Sequence, residues 1–135
     1  MTDPKITLLE ILQGEWSYGN DPKFYADWVD ARSKFPAISV THLATMARPI
    51  GFSLSVSTAD RRIHGIYLVN VWSLGDSEER YGMLQEADRI LKSKMSSPGG
   101  GLDSLVVSSW VDLDETQLQP PIYRSQLQVE VYYYG

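Results

Sequence analysis

Three features of this 135-residue chain predict an α+β fold: a mixed, mainly antiparallel sheet of about four to five strands, flanked by two helices. The first is the segment Ile122–Tyr134. Tyr123, Leu127, Val129, Val131 and Tyr133 fall on one side of it, and Arg124, Gln126, Gln128 and Glu130 on the other. That is the period of two of a half-buried strand, and its aromatic and β-branched content suits one. The second is the segment Ile63–Leu74, which is apolar on both faces through Ile66, Tyr67, Leu68, Val69, Val71 and Trp72, as expected of a central strand. The third is a pair of helix starts, Asp3-Pro4 and Asp76-Ser-Glu-Glu79, set among the strand signals. One domain over residues 1–135 is the natural reading, because at this length about two-thirds of the unfolded surface can be buried.

Along the chain, Asp3 caps and Pro4 opens a first helix carrying Ile6, Leu8, Leu9, Ile11 and Leu12, with Gly14 as its expected stop. Residues 15–36 set turn formers between the large aromatics Trp16, Tyr18, Phe24, Tyr25 and Trp28. That composition predicts an ordered aromatic arm or loop lying on a surface. Strands are expected at Ala37–Leu43 and Phe52–Ser57, with a turn over Ala44–Gly51 and a charged turn at Asp60-Arg61-Arg62. After the central strand, Asp76 and Glu79 form a capping-box pattern for a second helix reaching about Lys94. Its stripe is Tyr81, Leu84, Ala87 or Asp88, and Leu91, with Met83 and Ile90 beside it. Its acids come early and Lys92 and Lys94 late, which suits the helix dipole. Ser96–Gly101 is a flexible break, Leu105–Leu113 a strand, and Asp114–Pro121 a loop reset by Pro120-Pro121. The strand Ile122–Tyr134 then closes the sheet, and no internal repeat or heptad pattern is visible.

Chemistry is harder to find. The chain has no cysteine, which excludes disulfides, thiolate metal sites and thiol catalysis. His42 and His64 stand in no metal-ligand spacing. Asp112, Asp114 and Glu115 cluster, and a Mg²⁺ site there would need a converging Asp103 or Glu130; the alternative is a solvated strand exit. Gly99-Gly100-Gly101 lacks the Lys-Ser/Thr of a phosphate loop, and no nucleophile elbow is present. The expectation is therefore no enzyme, no cofactor and no metal. The net charge of −5 is uneven: residues 44–75 hold three arginines against Asp60, while residues 102–135 hold five acids against Arg124 alone. Such a chain is a poor general binder of nucleic acid, although an acidic wall suits a path that DNA slides along. No apolar run reaches the ~20 residues of a membrane span, and no basic start leads into an apolar core, so a soluble intracellular protein is expected. Arg61 and Arg62 are either a solvated corner or a contact to a partner's acids. Trp110 is expected in the core or at a subunit contact. Tyr132 and Tyr134 carry aromatics to the far face of the last strand, where tyrosine tolerates a half-wet interface.

The order of these elements resembles that of the tail terminator, or tail-completion, proteins of long-tailed viruses, and most of all the archaeal-virus type. The resemblance spans roughly residues 5–134. It is carried by the short first helix, the aromatic arm, the helix segment Met83–Leu91 ahead of Trp110–Asp114, and the last strand running from Tyr123-Arg124 to Val-Glu-Val-Tyr-Tyr. It implies a structural virion protein of the tail–neck region, assembled in the host cytoplasm. Such a protein forms a homo-oligomeric ring, expected as a hexamer, that caps the tail tube, ends its growth and joins it to the head–tail connector proteins. DNA would pass through the channel without sequence-specific binding. The long aromatic segment Trp16–Trp28 departs from the commoner family pattern. Trp16, Tyr18, Phe24, Tyr25, Trp28, Arg61, Arg62, Tyr132 and Tyr134 are then the interface candidates. The alternatives are another neck component, such as a head-closure or connector protein, or a small metal-dependent nuclease.

Overall fold

The computed structural model describes residues 3–27, 34–49 and 61–134. It contains two helices and a five-stranded sheet, so the α+β class is as expected. The elements are α1 (Pro4–Glu15), β1 (Lys23–Ala26), β2 (Ala37–Pro49), β3 (Arg61–Leu74), α2 (Ser77–Ser93), β4 (Ser104–Asp112) and β5 (Ile122–Tyr134). The strand order is β1-β2-β3-β5-β4. β1 runs parallel to β2, and the other three pairings are antiparallel.

The strand that is apolar on both faces, β3, is indeed central, and β5 pairs with it along its whole length from Arg62↔Tyr134 to Leu74↔Ile122. One face of the sheet carries Ile38, Val40, Tyr67, Val69, Val71, Leu105, Leu127, Val129 and Val131, and both helices pack against it to form the main core. Leu8 and Leu12 of α1, and Met83, Ile90 and Leu91 of α2, are fully buried there. The alternation of β5 follows from this one-sided cover: Ser125, Leu127, Val129 and Val131 are buried, and the residues between them are half-buried. A smaller apolar cluster sits on the opposite face at one end, where Ala37, Trp72 and Ile122 are covered by Tyr25, Phe35, Leu74 and Leu118.

Both helix starts form as the sequence suggests. Asp3 accepts a hydrogen bond from the Lys5 amide at 2.9 Å, and Asp76 accepts from the Glu78 and Glu79 amides at 3.0 and 3.1 Å. The capping box is only half made, however. Glu79 turns away from the cap and accepts from the Ser73 hydroxyl at 2.6 Å.

Several expectations need correction. The segment 15–36 is more than an arm, since it supplies the edge strand β1. Trp28 and the strand expected at Phe52–Ser57 lie outside the described residues. The expected turn over 44–51 is strand as far as Pro49: β2 continues past a register shift between His42 and Ala44 and pairs with β3 to its first residue. Arg61 and Arg62 accordingly begin β3 rather than forming a turn. Helix α1 runs one residue beyond Gly14. Tyr81 is 59% exposed and lies off the buried face of α2, which is formed by Met83, Leu84, Ala87, Ile90 and Leu91. Trp110 is not in the core, because it is 58% exposed.

Candidate functional site

Of the nine interface candidates Trp28 lies outside the described residues, and the other eight divide by what their side chains already touch. Trp16 packs edge-on to Phe24, with centroids 6.0 Å apart, and its indole N–H donates to Asn20 at 3.2 Å. Both rings rest against the main core, and Tyr25 rests against the smaller cluster with the Lys34 ammonium 5.5 Å from its centroid. These three rings are half-buried in their own chain, which leaves little of them for a partner. Tyr18 is partly exposed and lies over Gly82 of α2, where any side chain at that position would collide with its phenol.

The remaining four converge at one end of the sheet. Register places Tyr134 opposite Arg62 and Tyr132 opposite His64. Tyr132 has two ring contacts: His64 stacks on it with centroids 4.6 Å apart, and the Arg62 guanidinium lies 5.1 Å from its centroid. His64 Nε2 is 2.7 Å from Glu130 Oε1. Met46, Arg62, His64 and Tyr132 line a surface cavity of about 310 Å³. Arg61 and Arg62 are both exposed, and Tyr134 is 56% exposed. Register also brings Arg48 opposite Arg62, so three arginine positions meet at this end. A guanidinium over a tyrosine ring still has N–H donors to offer, which suit carboxylates.

The opposite end of the sheet is acidic. Asp112 ends β4, with Asp114 and Glu115 just beyond it, and Asp76 and Glu78 stand at the start of α2 after β3. Arg80 occupies the middle of this group. Its Nη1 lies 2.6 Å from Asp114 Oδ1 and 3.4 Å from Asp112 Oδ1. Asp112 also accepts from the Ser125 hydroxyl at 2.6 Å, and Asp114 from the Arg124 amide at 3.0 Å. Both carboxylates thus serve to close the β4–β5 connection onto α2, and Arg80 takes the position between them that a cation would need. Among the described residues, no three His, Asp or Glu side chains gather as metal ligands.

A third polar cluster joins the arm to α2. Glu86, almost fully buried, accepts from the Ser17 amide and hydroxyl at 2.6 and 2.9 Å and from Arg89 Nε at 2.8 Å. Arg89 and the Ser17 groups hold this carboxyl down to about 2, against burial, which alone would raise it. On the sheet, burial pushes the Tyr67 phenol up to about 12 and draws the Arg124 guanidinium below its ordinary value. The clusters around Glu86 and around His64 were not singled out from the sequence. The Glu86/Arg89 spacing is visible there, but their link to Ser17, and the meeting of His64 with Glu130 and Tyr132, depend on tertiary register.

No protein-family model and no curated protein sequence matches the chain. No helix among the described residues is long and apolar enough to cross a membrane.

Proposed function

We propose that this chain is a structural ring protein of a long-tailed virus, a tail terminator that caps the tail tube and joins it to the head connector. The observation that carries this reading is the separation of charge along the sheet. The Arg61/Arg62 end, backed by Tyr132 and Tyr134, lies at the opposite end of β3 and β5 from Asp76, Glu78 and Glu115, the acids there that Arg80 does not pair. A molecule that is basic at one end and acidic at the other is complementary to its own copies head to tail, and such heterologous contacts close into rings when the rotation permits. The tight pairing of Asp112 and Asp114 with Arg80 gives these acids a structural role and disfavours the nuclease reading. The ring carries no catalysis, and DNA passes through it without sequence-specific contacts.

Native mass spectrometry and negative-stain microscopy of the purified protein, alone and with tail tubes, test the proposal. Rings that bind tube ends are the expected result. The double substitution Arg61→Glu, Arg62→Glu should leave the fold intact and weaken assembly. A monomer that never binds tube ends refutes the proposal, and rings that bind the connector alone point to a head-closure role.

A further inference from the structure

Strand β4 is the most exposed apolar edge in the described molecule. It is the terminal strand of the sheet, bonded to β5 on one side only. Its sequence from Ser104 to Val111 has no charge and no proline, the residues that usually protect an edge. Two features blunt it. The Leu105 amide is spent on the Met95 carbonyl at 3.0 Å, and the register shifts between Val107 and Ser109. Beyond them, Trp110 and Val111 are 58% and 49% exposed, and Met95 nearby is 42% exposed. Between α2 and this edge lies a groove of about 280 Å³, lined by Asp88, Lys92, Met95, Val106, Val107 and Trp110.

We infer that the β4 edge is a two-fold contact surface and that its occupant is β4 of a second copy of this chain. Charge and shape along the groove favour that partner. Asp88 stands beside Trp110, sharing a hollow with it and Leu84, whereas Lys92 stands one helical turn further along α2, toward Met95 and Val106. Neither has an ion-pair partner within the described chain. In an antiparallel two-fold pairing centred between Ser108 and Ser109, Trp110 of each copy lies across from Val107 of the other. Each indole then fills the other copy's groove. The same operation sets Asp88 of each copy level with Lys92 of the other, giving two ion pairs from residues that have none in the monomer. An isologous contact requires this self-complementarity, and a central tryptophan ringed by polar residues is the usual anchor of such an interface.

The pairing does not rest on the tail-capping reading, since two copies associate through it whatever larger assembly they enter. Sedimentation of the full chain over a wide concentration range tests it. The expected result is reversible association that Trp110→Ser weakens by roughly tenfold or more. Asp88→Lys and Lys92→Asp should each weaken it, and the two together should restore it, because the double swap rebuilds the same pairs with reversed sign. A wild-type chain that stays monomeric, an assembly indifferent to Trp110→Ser, or a double swap no better than either single change each overturns the inference. Should Trp110→Ser fold poorly, the swap at the surface positions Asp88 and Lys92 still decides. Tube-end binding by the same variants is scored separately, so loss of capping without loss of pairing leaves this contact standing.

Discussion

Replacing Glu86 by glutamine keeps the shape of the side chain and removes its charge, which makes it a direct measure of what ties the aromatic segment to α2. A carboxyl held at about 2 in the folded chain, against 4.5 ordinarily, corresponds to about 3.4 kcal/mol of stability at neutral pH. Arg89 is 54% exposed, so water screens its share, and a loss of about 1–2 kcal/mol is the reasonable expectation. The folded value is depressed, so the contribution is complete above about pH 5 and disappears as pH falls toward 2. The difference between wild type and Glu86→Gln should therefore shrink to less than about half of its neutral value by pH 3. Urea unfolding of both proteins at pH 7 and pH 3 reads this directly, since the other carboxylates are common to both. A difference that is absent at pH 7, or equally large at both pH values, refutes the assignment of the charge as the tie. Amide exchange at Ser17 offers a local check, because that N–H donates to Glu86 at 2.6 Å and should exchange faster in the variant.

Two further perturbations probe the scaffold. Val129→Asp places an unpaired charge at a fully buried position of β5 and should unfold the protein, at a cost of several kcal/mol; an unchanged melting temperature would refute the inward placement of Val129. Arg80→Met keeps most of the stem but leaves Asp112 and Asp114 facing each other without their shared cation. About 1–3 kcal/mol should be lost in thermal melts, with less loss at high salt, and a variant as stable as wild type would show that the two carboxylates need no partner.

The legible part of the fold was the part in which local pattern and tertiary environment agree. β5 alternates because one of its faces meets the core under α2 and the other does not, and β3 is apolar on both faces because a second cluster around Trp72 covers one end of the far side. Asp3 and Asp76 announced their helices because a cap acts on its own first turn. What escaped depends on neighbours far away in sequence. β1 is four residues long, flanked by Asp21 and Asp27 in left-handed conformations, and exists because β2 offers it an edge; nothing in Lys23–Ala26 alone demands a strand. The strand through Thr45–Pro49 is held by its partner in β3 despite the turn-like Arg48-Pro49. Tyr81 fits the helical period, yet its place on the helix is set by where the sheet lies. The charged residues at the two ends of the sheet were plain in the sequence, but the register that gathers His64, Glu130 and Tyr132 beside Arg62 was not.

The sheet order also governs when the fold can exist. β3 bonds on one side to β2, its neighbour in the chain, and on the other to β5, which follows only after α2 and β4. During synthesis the most apolar strand of the molecule therefore waits with one edge open until β5 is made. Until then β2 is the only strand with which β3 can pair. The chain acquires its surface late and all at once, when β5 enters between β3 and β4, so copies cannot recognise one another through either end of the sheet until each has been completed.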